Sequence, residues 1–225
     1  MESKTSPSIE RPLVRIAAHG RVDVAAEERV DVDVDGDADV VLVGNTTTIS
    51  GTTGRLRIRV PIGVDLVIGT TSGRVAVSGH VGALSVVTES GRVAVERAQS
   101  ADVRSNTGRI DIGQSEGNCR VRSESGSVSV ASCREANVAT GSGRITLQGV
   151  RGVVQAHCTS GRIDIEMATA NDIEAETVTG QIAISLPRGV RAFRTDATAG
   201  QATPDSADCA VSARSVTGRV DVGNR

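Results

Sequence analysis

The 225-residue chain has no tryptophan, no tyrosine and a single phenylalanine. Proteins that grip single-stranded nucleic acid by stacking bases on aromatic rings need more than one ring, so that class is excluded. Leucine is also scarce. Seven leucines stand against 33 valines and 14 isoleucines, a balance that favours strands and disfavours helical bundles and coiled coils. No apolar run approaches the roughly 18 residues of a membrane-spanning helix. The net charge of −2 lacks the surplus of a generally basic nucleic-acid binder, so no specific nucleic-acid partner is expected. Cys119, Cys133, Cys158 and Cys209 make no C-x-x-C pair, the usual mark of zinc or redox chemistry, and are expected to be small buried thiols. The opening MESKTSPSIERPLVRI has no basic start followed by an apolar core. A secretory signal is therefore not expected, and the expected location is cytoplasmic, either free or peripheral to the inner face of the membrane.

What the chain does have is one phrase repeated along most of its length: Ser/Thr-Gly-Arg-Val/Ile-x-Val/Ile. Its glycines are Gly54, Gly73, Gly91, Gly108, Gly126, Gly143, Gly161 and Gly180, then a degenerate copy at Gly200 and a good one at Gly218, spaced 17 to 20 residues apart. Apolar residues alternate on both sides of each glycine, as in Leu84, Val86 and then Val93, Val95 around Gly91, which is the period of a strand with one buried face. Each copy reads as strand, tight Ser/Thr-Gly turn, strand and looser corner. Glycine suits the tight turn because positive φ, or a close backbone approach, costs it little. Copies stacked in parallel about 4.8 Å apart give an all-β solenoid of about ten coils of ~18 residues, roughly 45 Å long.

Stacking converts repeat positions into columns. Just after the glycine come Arg55, Arg74, Arg92 and Arg109, then Ser127, Arg144, Arg162, Gln181, Gln201 and Arg219, and the apolar residue that follows each must point inward. Arg55, Arg74, Arg92, Arg109, Arg144 and Arg162 therefore form an outward row and are the candidate surface for an anionic partner. Three positions before the glycine stand Thr70, Thr88, Ser105, Ser123, Thr140, Cys158, Thr177 and Ser215. This column is in phase with the apolar set and is expected to be buried, its hydroxyls bonding one another or the turn backbone. Residues 1–8 are expected to be disordered. Residues 9–50 are expected to be strands that start and cap the rod, and residues 51–225 to carry the repeats, irregular over 185–206, all in one domain.

The order Leu56-Arg57-Ile58-Arg59-Val60-Pro61-Ile62-Gly63-Val64-Asp65-Leu66, then the Ser/Thr-Gly copies, then Gly180-Gln181-Ile182-Ala183-Ile184-Ser185-Leu186-Pro187-Arg188-Gly189, resembles a bacterial adhesin-type domain family of unknown function. More distantly it is similar to bactofilins. The resemblance spans about residues 15 to 223 and implies a right-handed parallel β-solenoid, with no catalytic residues to carry over.

Other candidate sites are weaker. Asp31-Val32-Asp33-Val34-Asp35-Gly36-Asp37-Ala38-Asp39 opens like an EF-hand loop, but Leu42 stands where the closing bidentate Glu belongs, so an amphipathic strand with an acidic face is expected and no metal. Paired catalytic acids need carboxyls about 5 to 9.5 Å apart. Asp111 and Asp164 share a repeat position but are three copies apart, with Ser129 and Thr146 between. His157 and Cys158 are strand neighbours and so face opposite ways, while His19 and His80 show no partner in the pattern. The expectation is thus no cofactor and no enzyme, but an interaction or scaffold module. Its partner would be a protein or an acidic polymer or lipid surface, or a second copy of itself. A carbohydrate-active solenoid enzyme is the alternative.

Overall fold

A computed structural model describes residues 12–51, 54–190, 192–194 (backbone only) and 208–224, and these are all-β, with no helix among them. The strands are β1 (Leu13–Ala18), β2 (Arg21–Glu27), β3 (Asp33–Asp35), β4 (Ala38–Val43), β5 (Thr46–Gly51) and β6 (Arg55–Pro61). They continue with β7 (Asp65–Thr70), β8 (Arg74–Val150), β9 (Val154–Met167), β10 (Ile173–Leu186), β11 (Ala192–Arg194) and β12 (Cys209–Asn224). The 77-residue β8 is several coils without a break. Its chain turns corners at Gly91, Gly108, Gly126 and Gly143, all at positive φ, while remaining extended on either side.

Apart from β3 with β6 and β4 with β5, every strand pair is parallel. The repeat glycines come into register: Gly143 with Gly161, Gly161 with Gly180, and Gly180 with Gly218. A side chain on Gly108 would run into the carbonyl of Gly91, and one on Gly126 into that of Gly108, so the backbones at this corner approach too closely for any Cβ. Glycine is required there twice over, by its φ and by its neighbour.

The N-terminal segment departs from the expected order. β1 lies between β5 and β7, with Leu13 opposite both Thr46 and Asp65. β2 lies between β6 and β8, Arg21 opposite Arg55 and Val22 opposite Val75. The coil Leu13–Glu27 is therefore inserted between the coil Thr46–Pro61 and the one that starts at Asp65. It is not part of a cap. Among the described residues, the end of the stack is made by β3 and β4, running antiparallel to β6 and β5. Parallel strands need only an alternating apolar face and a matching glycine, and Gly20-Arg21-Val22-Asp23-Val24 has both. Gly200 lies outside the described residues, and Gly180 pairs directly with Gly218. Within the segment expected to be irregular, β10 continues to Leu186, and β11 pairs with the start of β12.

The interior is a strip of aliphatic side chains, most of them β-branched. Ile16, Val22, Ile58, Leu66, Ile68, Val86, Ile110, Ile145, Ile163 and Ile182 are all buried, with Ala101, Cys119, Ala136, Ala156 and Ala175 filling inward positions between them. Each buried Val or Ile contributes about 1.5–3 kcal/mol relative to exposure, which lets an aliphatic core among the described residues hold the stack together.

Candidate functional site

From Gly54 to Gly180 the residue after the column glycine points outward because the next one is locked into the core, whereas after Gly218 the corresponding Val220 is 37% exposed. Arg55, Arg74, Arg92, Arg109, Arg144 and Arg162 are all exposed, while Leu56, Val75, Val93, Ile110, Ile145 and Ile163 beside them are buried. The row is not the simple sequence expected, since Arg21 stands between Arg55 and Arg74. The Gly-Arg-Val-x-Val of residues 20–24 carries the same phrase, but it falls in the 9–50 segment expected to cap the rod.

Aspartates two residues further along the same strand face occupy much of the row. Asp23 receives Arg21 at 2.9 Å and Arg55 at 2.6 Å. Asp111 lies 2.7 Å from both Arg92 and Arg109. Asp164 is 2.7 Å from Arg162, and Asp221 is 2.8 Å from Arg219. Arg74 and Arg144, by contrast, have no carboxylate partner among the described residues. Two arginines share one aspartate at two places along the row and two more are unpaired, so positive charge remains in surplus there. Asp23 registers this field. Partial burial would raise its carboxyl, but hydrogen bonds from Arg21 and Arg55 and their charges outweigh that and hold it below the ordinary value.

Behind the row, the hydroxyl column is buried as expected from Thr70 to Thr177, while Ser215 in the last coil is half-buried. Its hydroxyls bond the turn backbone instead of one another: Thr88 donates to the Ser90 carbonyl at 3.0 Å, Ser105 to Thr107 at 3.1 Å and Thr140 to Ser142 at 3.1 Å. Each of these tight turns is thus tied from inside by the residue three before its glycine. Cys158 fills the same column, buried, in place of a hydroxyl.

All four cysteines are free and buried. Burial pushes the Cys133 thiol up to about 11 and raises Cys119, Cys158 and Cys209 as well, the reverse of what a nucleophile requires. The histidines do have neighbours. His19 shares a hydrogen bond with Thr71 at 3.3 Å, His80 lies 3.7 Å from Glu116, and His157 lies 3.5 Å from Glu176. Cys158, next in the chain to His157, is turned into the core. The acidic stretch is engaged by arginines: Asp31 and Asp33 with Arg29, Asp33 with Arg59 at 3.3 Å, and Asp35 with Arg57 at 3.5 Å. Among the described residues, no three His, Cys, Asp or Glu side chains gather as metal ligands.

The upstream strand face carries an open groove of about 730 Å³ where Ala83, Ser85 and Ser100 are small beside Asp102, Arg120 and Glu135. A polar ladder leads away from it, Asn137 donating to Gln155 at 2.8 Å and Gln155 to Glu174 at 3.3 Å. Such a ladder is what stacked copies produce when equivalent positions hold polar side chains of matching length.

These features define an all-β, solenoid-like repeat protein whose surface chemistry is arranged in columns. The chain belongs to the Toastrack DUF4097 family, a domain family of unknown function whose model matches residues 31–215. The match begins after Leu13–Glu27, although that segment lies inside the stack, and it carries no statement about adhesion or bactofilins. No match was found among curated proteins.

Proposed function

We propose that this protein is a non-catalytic interaction module, a right-handed parallel solenoid of about ten coils, that holds an extended polyanion along its arginine row. The reading extends to action in the cytoplasm, against acidic polymers or the anionic inner surface of a membrane. The observation that carries it is the uneven pairing of the row. Asp23 and Asp111 each serve two arginines, and Arg74 and Arg144, four coils apart, have no carboxylate among the described residues, so the row keeps unpaired guanidinium groups along its length. A guanidinium offers a planar fork of donors suited to carboxylate, sulfate and phosphate oxygens. Single exposed contacts of this kind are weak, and several at a fixed interval on a rigid support add by avidity.

The test is binding to an acidic polysaccharide, with anionic vesicles as a second arm, comparing wild type with Arg74→Gln/Arg144→Gln at low and moderate salt. Both side chains are exposed and neither holds an ion pair among the described residues, so the double variant is expected to keep the fold intact. Saturable binding that weakens steeply with salt, and weakens about tenfold or more in the variant, supports the row as the site. Absence of binding, or equal binding by the variant, removes it.

A further inference from the structure

We propose that β4 is the contact of a two-fold symmetric dimer, in which the β4 strands of two copies pair antiparallel and join two stacks end to end. This goes beyond the polyanion reading and does not rest on it, since β4 lies at the end of the stack and carries none of the arginine row.

The starting observation is an edge that lacks the usual protections. β4 closes one end of the sheet order, with β5 on one side and no strand on the other among the described residues. Terminal strands of this kind normally carry a charge, a proline or a bulge in mid-strand, because their free N–H and C=O groups will otherwise pair with another chain. β4 has none of these over its last four residues. Val40, Val41, Leu42 and Val43 follow one another and are 50%, 55%, 70% and 72% exposed. In a half-buried strand alternate residues would be covered, whereas here both faces of the strand are open. The apolar stretch is continuous at a position where water-facing strands alternate, and such patches mark contact surfaces.

Register and charge select the second copy as the occupant. Antiparallel pairing about a two-fold axis through Val41 sets Val41 against its counterpart, Val40 against Leu42, and Asp39 against Val43 of the second copy. Asp37 then falls opposite Asn45, so no acid meets an acid and every valine or leucine but Val43 meets another. The other acids at this end are already neutralised, Asp33 by Arg59 and Arg29 and Asp35 by Arg57. A contact of this form is closed. It uses the same patch on both copies and leaves no free β4 edge for further growth. Limited to one strand and its flanks, it falls at the small end of interface sizes, so the dimer is expected to be reversible, with a dissociation constant in the micromolar range.

Position 41 faces itself across the axis, and the experiment follows from that. Sedimentation of the full chain from low to high micromolar concentration is expected to show a monomer–dimer equilibrium. Val41→Lys and Val41→Glu are each expected to weaken dimerisation at least about tenfold, because like charges then meet at the axis, with thermal melting unchanged at concentrations where the wild type is monomeric, since the side chain is exposed. Mixed together, the two variants are expected to restore a dimer containing one of each. A wild type that stays monomeric throughout, single variants that dimerise as wild type does, or a mixture that fails to pair would each overturn the proposal. So would open-ended growth, or a monomer in solution whose β4 instead carries it onto lipid vesicles in a manner lost in Val41→Lys.

Discussion

At the scale of single residues, the corner glycines and the inward hydroxyls divide the work of the turn. The glycine permits a backbone that folds at positive φ within contact of the coil below, and the Ser or Thr three places earlier ties that turn by donating to a carbonyl within it. Gly108→Ala asks for a Cβ where the Gly91 carbonyl already sits, and its φ of 135° strains any other residue. Backbone cannot move aside as a flexible side chain can. Gly108→Ala is therefore expected to destabilise by about 3 kcal/mol or more, or to prevent folding. Gly223→Ala, where nothing lies within 4 Å, is expected to change stability by less than about 0.5 kcal/mol. Chemical denaturation of the two variants beside wild type measures both. Similar small losses in the two would show that the glycine column is not the close-packed seam described.

At the scale of strands, pairing across coils depends on what sits at +1 and +3 from the glycine. In β2 these are Arg21 and Asp23, and the aspartate reaches forward to Arg55 on β6 as well as back to Arg21. Because the folded carboxyl titrates below its unfolded value, its contribution is fully present above an unfolded pKa of about 3.9 and disappears as pH falls through the lower folded value. Asp23→Asn is expected to cost on the order of 1 kcal/mol at neutral pH, kept modest by the exposure of both arginines, and nearly nothing once the pH has fallen below the folded carboxyl's own lowered titration. Melts of wild type and variant across this range give the difference directly, and a gap that persists unchanged at low pH would refute the ion-pair account. The alternation that separates Arg21 and Asp23 from Val22 and Val24 was legible in the sequence, as was the burial of Thr88 and its column. Identifying Asp111, Asp164 and Asp221 as neutralising groups also needed only the two-residue strand period. Asp23 escaped because Gly20-Arg21-Val22-Asp23-Val24 falls within the segment expected to cap the rod, and local pattern alone did not place its strand beside β6.

At the scale of the whole molecule, the order of coils is what no local pattern specifies. A parallel strand with an apolar inner face can add next to any coil of similar face, and all copies here look alike. Chain order was the natural expectation, and the connection through β3 and β4 defeats it. After Glu27 the chain goes to the end of the stack, makes its antiparallel strands, and returns to lay Thr46–Pro61 on the outer side of the coil it had already built. The inserted coil separates the coil that ends at Pro61 from the coil that starts at Asp65, and it draws the N-terminal segment into the core through Val14, Ile16, Val22 and Val24. The arginine row inherits this order, because Arg21 enters it only through the insertion.

That order can be tested by cross-linking. Ala25 of β2 is the register partner of both Arg59 on β6 and Ser78 on β8, and Ser78 already reaches the Val24 carbonyl at 3.2 Å. Thiols introduced at Ala25 and Ser78 would lie one strand spacing apart, about 4.8 Å, within the range that a disulfide spans; thiols introduced at Arg59 and Ser78 would lie two spacings apart, beyond the ~7 Å limit. The four native thiols are buried and leave the background low. Mild oxidation followed by peptide mapping is expected to bridge the two introduced thiols efficiently in Ala25→Cys/Ser78→Cys, and to leave Arg59→Cys/Ser78→Cys reduced. Efficient bridging of positions 59 and 78, with none between 25 and 78, would mean that the coils stack in chain order and would contradict the inserted coil.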